Sequence, residues 1–267
     1  MSPYFSLVKM RFINGMQYRT AALAGIVTQF AFGFMFISMF LAFYRTDPSA
    51  FPMEISGVVS YIWIQQAFLA LFMTWFFEGD IFSAITGGQI AYELARPMDL
   101  YGKWFCQCVA GRLSKTVLRC LPILFIAFIL PDPYRLVLPP HTAQFLLFIL
   151  SSALTLGVVV SFSMIIYIAT FYTMSPLGVI IIAASLADFM AGSIVPLPFF
   201  PNGFRQAAEV LPFAAMQNMP LRIYSGDISG SGALYGILLQ VFWFAVLFAA
   251  GKIWMRQTLK KVTVQGG

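Results

Sequence analysis

Charged residues are scarce in this sequence. Asp, Glu, Lys and Arg make up only 10% of the 267 residues, whereas hydrophobic residues reach 60%. A soluble domain carries about a quarter charged residues, and a soluble protein this apolar would expose large hydrophobic patches and aggregate. The composition therefore argues against a soluble fold and indicates that the lipid bilayer surrounds most of the chain.

Cysteine and histidine are also rare. The three cysteines, Cys106, Cys108 and Cys120, lie in one short stretch outside any predicted outer loop, which does not fit a disulfide framework. Cys106 and Cys108 have no second pair nearby, so we predict no metal site. His141 is the single histidine, and we interpret it as a residue at the membrane interface, because a zinc- or His-dependent enzyme needs several convergent ligands.

A phosphate-binding loop of the Walker-A type is missing. That motif requires G-x-x-x-x-G-K-[ST], and the glycine pair Gly87-Gly88 is followed by Gln and Ile. We therefore predict that the chain is not an enzyme and does not hydrolyse ATP by this route. A membrane-embedded enzyme acting on lipids would also need convergent acids, histidines or nucleophiles, which the sequence does not supply.

Long uncharged runs dominate what is present. A helix needs roughly 20 apolar residues to cross the hydrocarbon core, and the runs lack the period-two alternation of strands. The charge-free stretch 142–187 is over twice the membrane thickness as one helix, so it must fold back, and Thr173–Pro176 is the expected turn. We predict an all-α, single-domain membrane protein with six spans at about 20–43, 58–77, 105–130, 143–170, 177–195 and 232–251.

The distribution of Lys and Arg predicts the orientation of these spans. With both chain ends on one side, twelve of the 16 basic residues fall on that side, and an excess of basic residues marks the cytoplasmic side. We therefore expect a multi-pass protein of the cell (inner) membrane with both termini cytoplasmic. The net charge of +6 could instead suggest nucleic acid, but no basic stripe interleaved with aromatics supports that partner.

The first residues predict a helix that lies in the cytoplasmic interface. Within 3–19, Phe5, Val8, Phe12 and Met16 share one face of a helical wheel. An early extension of the first span is the alternative. The apolar run that follows is too long for a signal-peptide core, so we expect a retained span.

Two segments between spans have unusual compositions. The cytoplasmic loop 78–103 contains Gly87-Gly88 and a stretch, Gln89–Ala95, that favours a short helix stopped before Pro97. Such a helix is either a docking element for a soluble partner or an ordinary solvated loop, and composition does not decide between them. The outer segment 196–227 is rich in Pro and Phe, and we predict a re-entrant pair of short helices in the outer leaflet.

Asp188 is the one ionisable residue deep inside a predicted span. Such residues often mark ion or proton pathways, but Asp188 could equally pair with a polar group on a neighbouring helix. A secondary transporter driven by an ion gradient is the alternative to the function given below. It predicts inverted repeats and more ionisable residues in the spans, and we find no convincing internal repeat.

Taken together, these features resemble the permease subunits of ABC transporters of the type-2 export class. The resemblance covers nearly the whole chain. Its most specific part is Gly192-Ser-Ile-Val-Pro-Leu-Pro-Phe-Phe-Pro201, followed by Leu211-Pro-Phe213 and Pro220-Leu-Arg-Ile-Tyr224. A second match is Gly88-Gln-Ile-Ala-Tyr-Glu-Leu-Ala-Arg-Pro97 in the cytoplasmic loop.

The resemblance implies partners and roles. Two permeases, as identical or sister chains, pair within the membrane lipids, and two separate ABC ATPase subunits dock below and bind the ATP and magnesium, so this chain itself needs no cofactor. The resemblance implies that coupling to the ATPase involves Gly88, Gln89, Glu93, Arg96 and Pro97. It also implies an outer gate formed by Pro196, Phe199, Phe200, Pro201, Pro212 and Phe213.

Aromatic, Met and polar side chains in three spans suggest a path for the substrate. The candidates are Phe34, Phe36, Met39, Phe40, Tyr61, Gln66 and Asp188. Such a wall suits an amphipathic or lipid-like cargo. The same residue types are normal at lipid-facing and packing positions, so the alternative is that they only pack. The sequence does not identify the cargo.

Overall fold

The computed structural model describes residues 3–173 and 175–261, and in this part of the chain every regular element is a helix. The all-α prediction is confirmed. The α-helices are α1 (Pro3–Gly15), α2 (Arg19–Thr46), α3 (Ile55–Ala67), α4 (Leu69–Phe72), α5 (Gly79–Thr86), α6 (Ile90–Leu94), α7 (Leu100–Ile129), α8 (Thr142–Thr173), α9 (Pro176–Met190), α10 (Asn202–Val210), α11 (Asn218–Ser225) and α12 (Gly230–Leu259). Short 3₁₀-helical turns lie at Pro48–Ala50 and Leu197–Phe199.

Three of these helices are long and apolar enough to cross a membrane. They are α2, α8 and α12, with 28, 32 and 30 residues. Helix α9 is apolar but has only 15 residues, and α7 has the length but carries four basic side chains, Lys103, Arg112, Lys115 and Arg119. The chain is thus a multi-pass membrane protein, while the count of six spans and the re-entrant outer segment stay predictions.

The second predicted span, 58–77, is not one continuous helix. Helix α3 ends at Ala67, the four-residue α4 follows, and residues 73–77 are non-helical. The buried Arg112 of α7 donates hydrogen bonds to carbonyl oxygens in and after α4. Since these carbonyls have a side-chain donor, the backbone can leave the helix without an unsatisfied buried acceptor.

Helix α8 is the centre of the bundle. It packs most extensively against α12 and also contacts α7, α9 and α11. Helices α3 and α7 complete the core, whose largest fully buried side chains include Trp63, Trp104, Tyr167 and Phe148. Helix α2 packs on α3 and α7, so most of its other side chains face outward.

The boundaries of α1 and α9 can be compared with the predicted helix ends. Helix α1 ends at Gly15, and residues 16–18 separate it from α2, so it is a helix of its own that packs along α7. Helix α9 begins with Pro176, whose fixed φ suits the first turn of a helix. Met174, in the middle of the predicted turn, lies outside the described residues.

Candidate functional site

The segment between α4 and α7 forms two short helices joined by a tight turn. Gly87 closes α5 by donating its N–H to the carbonyl of Ser83, at 2.9 Å. Gly88 then adopts a φ of +71°, a left-handed conformation that costs glycine no steric penalty. Helix α6 follows at Ile90–Leu94. The glycine pair therefore sets the direction in which α6 leaves the bundle.

A buried ion pair holds α6 against α7. The Lys103 ammonium contacts the Glu93 carboxylate, and the side chain of Lys103 is only 6% exposed. Ile90, on the same helix, is also buried. Sequence reasoning assigned Glu93 to the ATPase contact, but its side chain points at α7, and the role of Lys103 as its partner was missed because it depends on how the two helices fold together.

Six exposed residues around α6 form a surface that we call the α6 face: Gly88, Gln89, Tyr92, Leu94, Arg96 and Pro97. Four of the five predicted coupling residues lie in it. Tyr92 was not among them, although its side chain is 77% exposed. Large exposed aromatic and Arg side chains are typical of the residues that dominate protein interfaces.

Polar groups tie the start of this segment to the bundle core. The backbone N–H of Glu78 donates to the hydroxyl of Tyr167 on α8, at 2.6 Å. Arg112 lies next to it, and its guanidinium reaches the carbonyl of Phe76 at 2.8 Å and the hydroxyl of Ser163 at 3.2 Å. A movement of residues 73–78 would therefore be transmitted to both α7 and α8.

The predicted outer-gate residues divide into three contacts rather than one cluster. Phe199 packs against Phe40 of α2, with ring centroids 5.1 Å apart. Phe200 packs against Phe189 of α9, at 5.6 Å. Phe213, farther along the segment, packs against α8. The outer segment thus touches α2, α9 and α8 at separate points.

Amide and hydroxyl side chains fix the turn between α10 and α11. Gln240 of α12 is fully buried and donates to the carbonyl of Ala215 at 2.9 Å and to the Thr155 hydroxyl at 2.9 Å. Thr155 in turn donates to the carbonyl of Met216 at 2.7 Å. These bonds satisfy backbone acceptors that no helix satisfies, which is required away from water.

Two other side-chain amides secure the backbone just before the outer segment and near its end. Gln65 of α3 donates to the carbonyl of Ser193 at 2.6 Å, and Gln144 of α8 donates to the carbonyl of Ile223 at 2.7 Å. Sequence reasoning did not assign roles to Gln144 or Gln240. The available signal was their position as amides within apolar stretches of these helices, where polar side chains usually bond to neighbouring elements.

A charge cluster stabilises the far end of the same segment. Arg222 of α11 bonds to both Glu209 and Asp227. Burial lowers the pKa of Arg222, but the two carboxylates outweigh this effect and raise the pKa above its ordinary value. The guanidinium therefore stays charged and joins α10, α11 and the start of the connection to α12.

The seven predicted path residues do not share one surface. Tyr61 and Gln66 are buried in α3. Phe34 packs edge-on against Trp63, at 5.3 Å between ring centroids. Met39 is exposed on α2, whereas Phe36 is half-buried and Phe40 is buried. Of the seven, only Met39 is exposed on the side of α2 that faces away from the bundle, and the structure does not gather the set into one wall.

Asp188 lies beside the break in the second predicted span. The Thr74 hydroxyl donates to its carboxylate at 2.6 Å, and the same hydroxyl lies 3.4 Å from the carbonyl of Ala184. Thr74 sits in the non-helical stretch that Arg112 stabilises. Asp188 therefore pairs with a polar group on a neighbouring segment, as the structural alternative expects, and links α9 to the core.

The comparison with protein families agrees with this architecture. The family model described as ABC-2 family transporter protein matches residues 35–266. No curated protein matches the chain. The matched range includes the α6 face, the whole outer segment and helices α3 to α12. The chain therefore belongs to the ABC-2 transporter family and is a permease subunit of an ABC transporter.

Proposed function

We propose that this chain is the membrane-spanning half of an ATP-driven exporter. It crosses the inner membrane six times with both ends in the cytoplasm, pairs with a second permease, and is driven by two ATPase subunits that bind the ATP and magnesium. The α6 face is the observation that carries this proposal, because it combines exposure with a rigid attachment to the bundle.

The geometry of the α6 face suits a coupling element. Tyr92 projects from the short helix α6, and Arg96 lies just after its end. The largely buried Glu93–Lys103 pair anchors this helix to α7. A force applied to α6 therefore reaches α7 directly and reaches α8 through the Glu78–Tyr167 bond. This face is shaped by Gly88, Gln89 and Pro97. Glu93 points towards α7 and anchors the face to the bundle.

At the opposite side of the molecule, the outer segment is proposed as the exit gate. Pro196, Pro201 and Pro212 interrupt helix formation, so the segment adopts short pieces that lie across several helices. Phe199 and Phe213 contact different helices. A relative displacement of α2 and α8 would then separate the aromatic contacts and open a route between them.

The exposed side of α2 is proposed as the wall that meets the second permease or the cargo. Phe32, Met35, Met39 and Phe43 are exposed there, and Met and Phe side chains adapt to varied apolar ligands. An amphipathic or lipid-like substrate fits such a wall. Phe34, Phe36, Phe40, Tyr61, Gln66 and Asp188 are proposed to support the path from within the bundle.

The coupling role is tested by Arg96→Glu and Tyr92→Ala in the complex that co-purifies from membranes. We expect both variants to insert normally but to retain less ATPase subunit and to lose substrate-stimulated ATP hydrolysis. Arg256→Glu, on the exposed end of α12, is the matched control and should behave like the unmodified protein. Full ATPase retention and stimulation in the Arg96 and Tyr92 variants would remove the α6 face from the coupling role.

The ion-gradient alternative predicts a different result in the same preparation. Asp188 would then be the coupling carboxylate, and Asp188→Asn would abolish transport with ATP present. Transport that stops when the proton or sodium gradient collapses, while ATP is intact, would favour this alternative. Transport by the chain without any ATPase would overturn the exporter proposal.

A further inference from the structure

A polar cavity lies between α1, the start of α2, the start of α5 and α7. It has a volume of about 430 Å³. Its lining includes three basic side chains, Arg11, Lys115 and Arg119, and two acidic ones, Glu78 and Asp80. It lies away from the α6 face, the outer segment and the predicted path residues. A cavity with charges of both signs is unusual next to a membrane-embedded helix.

Several polar atoms at this cavity are shielded from solvent and have no hydrogen-bond partner among the described residues. They are the side-chain nitrogen Nε2 of Gln107, the Oε1 atom of Glu78 and the Nε atom of Arg119. The Gln107 side chain belongs to a residue that is only 4% exposed, and it lines the cavity. Buried polar atoms are normally paired, and each unpaired one costs about 1–3 kcal/mol. The unpaired Gln107 nitrogen, on a buried residue that lines the cavity, therefore points to a ligand with polar groups.

Two charged side chains at this site are held against glycines. A Cβ atom on Gly111 would lie 2.2 Å from Oε1 of Glu78, and one on Gly25 would lie 2.6 Å from the guanidinium carbon of Arg119. The carboxylate and the guanidinium thus rest directly on helix backbones. The two glycines leave room for these side-chain ends, so both charged groups lie close to the helix backbones.

The charges are ordered along α7. Glu78 packs at Gly111, Lys115 follows one turn later, and Arg119 follows one turn after that, about 6 Å per step. Helix α2 begins at Arg19 and runs from there into the membrane. Since Arg119 contacts Gly25 of this helix, Arg119 lies at the side of the cavity that is nearer the membrane interior. The acidic end is therefore farther from the membrane interior than the basic end.

That order matches a zwitterionic lipid head group. In a phospholipid, the phosphate lies next to the acyl chains and the terminal amine lies farther out. We propose that the cavity binds the phosphoethanolamine head group of a membrane phospholipid, with its phosphate at Arg119 and Lys115 and its ammonium at Glu78. A half-turn of the Gln107 carboxamide presents its oxygen to the same ammonium. The assignment to the inner leaflet rests on the proposed topology.

Head groups of other chemistry fit less well. A quaternary choline has no N–H to donate to Glu78, and a purely anionic head group would meet the two acidic side chains. Arg11 contacts Asp80 at 3.4 Å. Glu78 is therefore the acidic side chain of the cavity that has no ion-pair partner among the described residues and can accept from the ammonium. The cavity therefore selects for an ammonium that carries hydrogens.

Native mass spectrometry of the full chain tests this selection. The detergent-solubilised protein is mixed with equal amounts of phosphatidylethanolamine, phosphatidylcholine and phosphatidylglycerol carrying the same acyl chains. We expect retention of phosphatidylethanolamine over phosphatidylcholine by about tenfold, the ratio given by one additional charge-assisted hydrogen bond. Glu78→Gln should remove most of this preference, and Arg119→Gln should lower the retention of all three lipids because each carries the phosphate. Arg256→Gln, at the exposed end of α12, should change neither.

Specific results overturn the proposal. Equal retention of the three lipids would show general lipid contact only, and a preference for phosphatidylglycerol would show a simple anion site. Displacement of the lipid by soluble phosphoethanolamine at matched concentration would show that the site takes the free compound. These readouts measure binding without transport, so they stand whether or not the exporter proposal holds.

A photo-crosslinking arm on the unmodified protein covers the case of a variant that does not fold. Phosphatidylethanolamine with a photoreactive group on the glycerol side of its phosphate should label peptides from α1 or from residues 111–119. Labelling confined to the exposed outer faces of α9 and α12 would contradict the proposed site.

Discussion

Replacing Arg112 tests whether a side chain allows the break in the second predicted span. Its guanidinium donates to the carbonyls of Ala70, Met73 and Phe76 at 3.3, 2.7 and 2.8 Å, and to the Ser163 hydroxyl at 3.2 Å. The side chain is fully buried. Arg112→Met keeps an unbranched apolar stem of similar reach but removes every donor. Three backbone acceptors then lose their bonds in an environment without water.

The magnitude follows from those acceptors. Each unsatisfied buried carbonyl costs about 1–3 kcal/mol, which gives about 3–9 kcal/mol for three. Removing a buried charge relieves part of this cost, so we expect a loss near the lower end, about 3 kcal/mol. For a chain of this size that loss lowers Tm by about 6–12 °C.

The assay is thermal unfolding of the purified protein in one detergent. Arg256→Met, on the exposed end of α12, is the control, and it should leave Tm unchanged. Arg112→Lys should fall between the two, because an ammonium supplies charge and donors but lacks the planar fork that reaches several carbonyls. If Arg112→Met and Arg256→Met unfold at the same temperature, the carbonyls do not depend on Arg112 and the reasoning fails.

Three further variants test other parts of the structure. Gln240→Leu should lower the free energy of unfolding by about 2 kcal/mol and speed amide exchange in the turn between α10 and α11, whereas Gln257→Leu, exposed on the same helix, should change neither. Gly33→Ala should lower Tm, since its Cβ would lie 2.7 Å from the buried ring of Trp63, whereas Gly79→Ala meets open space and should not. Burial raises the pKa of Glu78, although nearby cations oppose the effect. The folded protein therefore binds a proton more tightly than the unfolded chain, and stability should fall as pH rises through this raised pKa. Glu78→Gln should flatten that part of the pH profile of Tm.

The long apolar runs made most of the helices predictable. Predicted spans at 20–43, 143–170 and 232–251 correspond to α2, α8 and α12, whose observed bounds extend one to three residues farther, except that α12 continues eight residues beyond the predicted end. A long run without charge has one way to satisfy its backbone in lipid, which is to remain helical. Local sequence is therefore sufficient for these elements.

The break after α4 was not predictable in the same way. Residues 73–77 read Met-Thr-Trp-Phe-Phe and contain neither Pro nor Gly. Their departure from the helix depends on Arg112, which is far away in sequence and reaches them only after α7 has packed. Sequence reasoning treated Arg112 as one more basic residue of the cytoplasmic side, because its partners are backbone atoms and leave no mark in the amino-acid pattern.

The coupling residues also divide into those that local sequence predicts and those whose placement depends on tertiary packing. The exposed Gly88, Gln89, Arg96 and Pro97 follow from the glycine pair and the Pro that bound α6, so local signals were enough. The inward direction of Glu93 depends on Lys103, one element later. A charge in a polar loop can face a partner protein or its own bundle, and only the tertiary packing decides between them.

One physical rule connects the core and the outer segment. In two irregular stretches, side chains from other elements donate to backbone carbonyls: Arg112 does so after α4, and Gln65, Gln144 and Gln240 do so between Ser193 and Ile223. Each donor is fixed by packing, so these irregular segments are as firmly placed as the helices around them. Helix α9 differs, since its buried side chains are only Ala184 and Ala187 and it packs mainly on α8. If the permease changes shape during transport, the least costly movement is therefore a displacement of α9 as a rigid rod, with the Thr74–Asp188 bond as the polar contact that must break.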